Sequence, residues 1–430
     1  MSSHQKASAV LTEAQRIQIL SSLSDEVQKR FYDPRVSKIE WPANLEKFRL
    51  PILNSPSNEA FEHEVMKLLS SLGSSHVGFY HSDLNRCSAK MALCAAYAAF
   101  PCEDGERWVF QDVHEGGPAA KAGIRAGDVL IGVNDQDFRP PRHPSFAMPS
   151  TASVTFLTRN GEATRIVTIP KPKQQRSQLP QIEPDPIVSH RRLNSDTGYV
   201  RLAMYPGNIG VDVANDIHAA ISALGRVNRL IIDLRGNTGG GVGFLRLLSF
   251  LTPDRVTVGI FSKGRLRSYS GSDARHAFVF DRIPRRRWML YPLTVKFFSF
   301  VVIRKILRQE LSIQISTEGL GPQPFHSRVV ILADRHSASA NEMLIAFARD
   351  NKLATIVGEP TPGRMLGAEK FKLPHGYQVA LPVGSYRTDT GENLEGSPIA
   401  PGVFAPFDPV SARNGTDSQL DVALATVSRL

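Results

Sequence analysis

Residues 328–342 read Arg328-Val-Val-Ile-Leu-Ala333-Asp-Arg-His336-Ser-Ala-Ser339-Ala-Asn-Glu342, an apolar run that passes straight into a polar turn. Val329, Val330, Ile331 and Leu332 form a short run of β type, whereas Met343, Leu344, Phe347 and Ala348 recur at helical spacing. Ser339 is therefore expected at a strand-to-helix turn. The first amides of a helix have no intrahelical acceptor and can receive an oxyanion formed beside them, a position that suits a nucleophile. Serine is equally an ordinary helix N-cap, so the role of Ser339 depends on the rest of the chain.

Upstream, residues 198–251 alternate strand and helix. Residues 199–205 read as a strand; Val213, Ile217, Ala220, Ile221 and Leu224 give one helix face; residues 230–234 read as a buried strand. A glycine-rich turn follows, Arg235-Gly-Asn-Thr-Gly239-Gly240-Gly241, and then a helical pattern with Phe244, Leu247, Leu248 and Leu251. Neither GK[ST] nor GxGxxG is present, so a nucleotide loop is not supported. Glycines in such a turn also permit close backbone approach to a substrate, with amides pointing inward.

Residues 1–103 read as a mainly helical N-terminal segment. Thr12 and Gln15 have capping-box spacing, and residues 58–72 present Phe61, Val65, Leu68 and Leu69 on one side before Gly73. Ser74-Ser75-His76 then forms a polar turn. Residues 104–171 change to short strands and tight turns, with a hairpin signal at Asn160-Gly161. Proline-rich residues 172–197 read as a linker, and residues 198–430 as the core.

At 430 residues, with 42% hydrophobic and 21% charged content, the chain has the composition of a globular protein with room for two or three domains. The excess of 51 Lys and Arg over 41 Asp and Glu admits an acidic partner or an anionic surface. Cys87, Cys94 and Cys102 are odd in number and form no CxxC pair, which argues against a disulfide framework or a zinc site. Free thiols and an N-terminus without a signal-peptide core lead to the expectation of a cytoplasmic protein. No metal, cofactor or nucleic acid is expected.

Residues 282–308 combine eight Arg and Lys with Phe297, Phe298, Phe300, Val301, Val302 and Ile303, and contain no acidic residue. Pro292 and Lys296 interrupt a run already short for a membrane span. The readings are a partly buried helix, a contact in a homo-oligomer, or a basic amphipathic helix at an anionic membrane surface.

Gly116-Gly-Pro-Ala-Ala-Lys-Ala-Gly-Ile-Arg-Ala-Gly-Asp-Val-Leu-Ile-Gly-Val-Asn134 resembles a PDZ domain of the bacterial protease type, which implies a module that captures a peptide end as an added strand. Four further stretches complete a pattern: Asp233-Leu-Arg-Gly-Asn-Thr-Gly-Gly240, Ser337-Ala-Ser-Ala340, Val357-Gly-Glu-Pro-Thr-Pro-Gly363 and Leu394-Glu-Gly-Ser-Pro-Ile-Ala-Pro401. In order and spacing they resemble the C-terminal processing, or tail-specific, serine peptidases of family S41. The resemblance implies an α/β core similar to the crotonase and Clp protease βα spiral, acting on peptide or protein substrates. It also implies Ser339 as nucleophile, with oxyanion amides from Ala340 and from the Gly239-Gly240 turn.

One departure matters. The processing branch uses a lysine base in a Thr-Phe-Gly-Lys motif, and this chain has Thr361-Pro-Gly-Arg364. Arginine stays protonated near neutral pH and cannot serve as that base, and the spacing of Lys370 does not favour it as a substitute. A second branch, resembling the tricorn protease core, uses histidine and glutamate. Its pattern matches Ser75-His76 and Glu395, which implies His76 as general base, Glu395 as the group orienting it and Ser75 as a supporting hydrogen-bond partner. Glu392 lies close to Glu395 in sequence, and Arg364 would be free to bind a substrate carboxylate or carbonyl. The alternatives are an inactive peptide-binding protein that keeps the fold, and a crotonase-like enzyme acting on acyl thioesters.

Overall fold

The computed structural model describes residues 10–82, 86–171, 182–263, 277–309, 311–321 and 328–430. The expected strand and helix meet as read: Val329–Ala333 is a strand buried at every residue, and Ala340–Asp350 is a helix whose first nine residues are all buried. Each buried Val, Ile or Leu of this pair contributes about 1.5–3 kcal/mol by leaving water. This strand and helix therefore form a firm platform for the turn between them.

Val329–Ala333 lies in a six-stranded sheet ordered Val188–Arg192, Thr197–Leu202, Arg229–Asp233, Val329–Ala333, Thr355–Gly358, Val403–Phe404. The first pair is antiparallel and the rest are parallel, with Asp233 beside Leu332 and Ala333 beside Gly358. Three neighbouring strands thus end side by side. The loops leaving them are the glycine turn, the Ser339 turn and the loop that carries Arg364. Loops at the carboxyl ends of parallel strands are where open α/β sheets bind ligands.

A second sheet is built on the long strand Tyr377–Thr388, to which Gly78–His81 pairs antiparallel with Gly78 opposite Ala380. That pairing fastens the N-terminal segment, with His76 two residues ahead of the strand, to a late part of the chain. Helices Glu13–Arg30 and Asn58–Ser70 pack their apolar stripes on the same sheet through Leu23, Phe61, Leu68 and Val379. The Thr12 and Gln15 capping box is formed in both directions.

A third sheet, Ala95–Cys102, Gly105–Val113, Val129–Val133, Ser150–Thr158 and Gly161–Ile169, forms the PDZ-like unit around its own core. Two boundaries differ from the sequence reading. The alanine-rich run at 95–102 is a strand rather than part of the helical segment, because a two-residue turn at Glu103 and Asp104 pairs Cys102 with Gly105 and extends the ladder back to Ala95. Pairing across the hairpin overrides the helix propensity of alanine. In the stretch read as linker, Val188–Arg192 is a strand held by Thr197–Leu202. Residues 172–181 of that linker lie outside the described residues.

Candidate active site

Ser339 holds φ 57° and ψ −117°, a conformation that a residue with a side chain rarely adopts and that costs on the order of 1–3 kcal/mol. The surrounding bonds impose it. The Ser339 amide donates to Arg364 O at 3.1 Å and to Glu342 Oε2 at 3.1 Å. Buried Glu342 also accepts from the amides of Gly363 and Arg364, each at 2.7 Å, and from Thr361 Oγ1 at 2.8 Å. Burial raises the pKa of Glu342, while the hydroxyl of Thr361 and these amides act in the opposite sense. The sequence reading did not single out Glu342, although Ser339-x-x-Glu342 has capping-box spacing.

The other serine of the turn is spent internally. Ser337 Oγ is fully buried, donates to Leu234 O at 2.9 Å and accepts from the Asp334 amide at 3.0 Å. Ser339 Oγ, in contrast, donates no hydrogen bond among the described residues, and Ser339 borders a cavity.

The glycine turn is locked against the Ser339 turn. Ala338 N and Asn341 Nδ2 both donate to Asn237 O, at 3.2 and 2.6 Å, and Tyr205 Oη donates to Asn341 Oδ1 at 2.9 Å. At Gly239, φ is 94°, and an added Cβ would stand 2.7 Å from Ser339 Cβ and 3.0 Å from Ala340 N. Only glycine allows that approach. The Gly239 amide, however, donates to Asn237 Oδ1 at 2.8 Å, so the expectation of a free amide in the Gly239-Gly240 turn narrows to Gly240. The Gly240 and Ala340 amides have no acceptor among the described residues, and both residues border the cavity together with Ser339.

Ser75, His76 and Glu395 come together from opposite ends of the chain. Glu395 accepts from the Ser75 amide at 2.7 Å, from Ser75 Oγ at 2.8 Å and from the Met365 amide at 2.8 Å. Ser75 Oγ lies 2.6 Å from His76 Nδ1. Ser75 donates its one hydrogen to the carboxylate, so it accepts from Nδ1–H, and the proton-free nitrogen of a neutral imidazole is then Nε2. Glu395 thus reaches His76 through Ser75 rather than directly. No hydrogen bond joins His76 to Ser339 Oγ among the described residues. The two are tied through one short segment, Arg364 bonding Ser339 and Met365 bonding Glu395. Glu392 is not part of this relay and pairs with Arg349.

Burial lowers the pKa of His76; Glu395 acts against that and Arg364 with it. The Arg364 side chain is exposed and makes no hydrogen bond or ion pair among the described residues. Lys370 sits over the Tyr80 ring, 5.6 Å from its centroid, and makes no hydrogen bond to Ser339. A second group went unread in the sequence: half-buried Lys90, pushed down to about 8 by desolvation and by Arg364, lies 3.2 Å from His336 Nδ1, whose Nε2 meets Gln111 Oε1 at 2.7 Å. No local pattern marks that trio, because its members come from three separate segments.

The cavity bordered by Ser339 measures about 530 Å³. Phe244, Phe261, Phe280, Met343 and Met365 contribute to its walls, Leu293 and Phe297 close one side, and no charged side chain among the described residues lines it. That volume falls in the range, roughly 300–1,000 Å³, that encloses small-molecule ligands, so a bulky apolar group fits.

Comparison with known proteins bears on the family and the fold. The pattern of "Peptidase family S41" matches residues 196–404, and that of a PDZ domain matches residues 109–146. Carboxyl-terminal-processing peptidase 2, chloroplastic, of Arabidopsis thaliana is 24% identical over 296 residues, covering 66% of this chain and 47% of that protein. A Streptomyces coelicolor protein named as a tricorn protease homolog is 23% identical over 424 residues, covering 93% of this chain and 31% of its own length. This chain therefore spans about half and about a third of those two relatives. The solved photosystem II D1 C-terminal processing protease superposes with a TM-score of 0.53 at 18% identity, covering 94% of this chain and 98% of that one.

Proposed function

We propose that this chain, whose core belongs to peptidase family S41 and which carries a PDZ domain, is a serine peptidase that hydrolyses peptide bonds through an acyl-enzyme on Ser339. The observation that carries the reading is that one cavity is bordered by Ser339, whose hydroxyl donates no hydrogen bond among the described residues, and by Gly240 and Ala340, whose amides have no acceptor among them. In the reaction, Ser339 Oγ attacks the carbonyl carbon while His76 Nε2 takes its proton. The Gly240 and Ala340 amides hold the oxyanion, and His76 returns the proton to the leaving amine. Water then attacks the ester by the same route in reverse. The cation formed on His76 is stabilised through Ser75 and Glu395.

Arg364 would bind a carboxylate or carbonyl of the substrate, and the PDZ unit would capture polypeptide along Ala95–Cys102, the end strand of its sheet. Three unpaired cysteines accord with a reducing, cytoplasmic setting.

Digestion of a complex peptide library, read by mass spectrometry, tests the reading. Cleavage is expected next to Phe, Tyr, Leu or Met, because the apolar cavity accepts those side chains. A charged residue in the same place should lower kcat/KM by on the order of 100-fold or more, since its charge would be buried unpaired. A folded wild-type protein that cleaves nothing sinks the peptidase reading, and indifference to charge next to the cleaved bond sinks the role of the cavity.

The pH profile gives a separate check. A base must be neutral to act, so activity falls as pH drops through the pKa of His76. Because that pKa is lowered, the acid limb of kcat/KM is expected below pH 6.5, the ordinary histidine value. Arg364→Gln removes a cation that helps to lower it, so the limb should move toward higher pH. A limb unmoved by this change would separate Arg364 from the titrating group.

A further inference from the structure

Helix Leu290–Ile306 has 17 residues and none of them is fully buried. Its inward side, at Leu290, Leu293 and Phe297, helps wall the cavity beside Ser339. At 3.6 residues per turn, Tyr291, Val295, Phe298, Val302 and Ile306 fall on the opposite side. All five are exposed, Phe298 by 66% and Ile306 by 75%. A helix that is apolar all round is normally buried, so this outward face calls for something to cover it.

The charges around that face say what would cover it. From Arg282 to Gln309 there is no Asp or Glu. Lys296 and Lys305 flank the outward apolar arc on its two sides, and exposed Arg282, Arg285 and Arg286 precede the helix. Trp288, 68% exposed, and Tyr291 stand at its start, as amphipathic rings do at a membrane interface. No helix among the described residues is long and apolar enough to cross a membrane. At roughly 1.5 Å per residue this one could lie in the plane of the headgroups.

We propose that helix Leu290–Ile306 and the arginines before it dock the protein on an anionic lipid bilayer, with Phe298, Val302 and Ile306 inserted among the acyl chains and the cations on the phosphates. A second copy of the chain fits this face less well, because two such faces would bring their cations together without a counter-charge. Since the inner side of the same helix walls the cavity, a docked enzyme would hold that cavity next to the bilayer, within reach of apolar segments lying in it. This inference concerns binding and does not depend on the peptidase reading.

Flotation of the full chain with phosphatidylcholine vesicles, with and without phosphatidylglycerol, tests it. Binding is expected only with the anionic lipid and should weaken in high salt. Of the three tryptophans, Trp41 and Trp108 are buried, so a blue shift on binding would report Trp288. Charge reversal at two arginines, R285E with R286E, is expected to weaken binding at least about tenfold. Phe298→Glu should abolish the blue shift, and its exposed site leaves the fold intact. Absence of binding, equal binding to neutral vesicles, or a dimer that Phe298→Glu dissolves would each overturn the proposal.

Discussion

Ser339→Ala is expected to lower kcat by on the order of 10⁶, and His76→Ala by about as much, because the proposed nucleophile and base would act as a unit. The double variant should be no worse than either single one. What remains would be the contribution of the oxyanion amides and of binding, which neither substitution touches. Single-turnover kinetics on a chromogenic ester distinguishes the two roles. Wild type should show an acylation burst, and Ser339→Ala should show none. If His76→Ala turned over at the wild-type rate, His76 would not be the base. Multiplicative losses in the double variant would show two groups that act independently.

Ser75→Ala is expected to cost about 10³–10⁴ in kcat with little change in KM, because it leaves His76 Nδ1 without its acceptor and cuts the path to Glu395. A carboxylate bonded directly to the base would make such a serine dispensable; here it lies in series. Ser75→Ala combined with Glu395→Gln should therefore be no slower than Ser75→Ala alone, a coupling that a double-mutant cycle measures. Full activity in Ser75→Ala, or independent losses in the pair, would remove Ser75 from the relay.

The strand and helix around Ser339 were legible because their apolar periods differ and the change of period falls at the turn. The glycine turn was equally plain, since Gly236, Gly239 and Gly240 all hold positive φ. The pairing of Ser75-His76 with Glu395 was not readable from spacing. It came from family resemblance, since nothing local in either stretch encodes a contact 320 positions away. The strand at 95–102 was missed because alanine favours helix, while the two-residue turn that decides the matter lies just beyond it. The Gly239 amide was assigned too broadly because only coordinates reveal the Asn237 side chain that occupies it. Basic and apolar residues in 282–308 were visible, but sequence could not say that one helix presents an apolar side both to the cavity and to solvent.

Ser75 and the carboxylate it bonds are 320 residues apart, a separation that matters while the protein is being made. At roughly 5–20 residues per second, synthesis of the intervening stretch takes about 15–60 s. Under the proposed mechanism, the nascent chain holds His76 throughout that interval without the carboxylate that would orient it. On that mechanism, a polypeptide emerging from the ribosome could not cleave itself or its neighbours before Glu395 has been translated. The delay would arise from chain order alone.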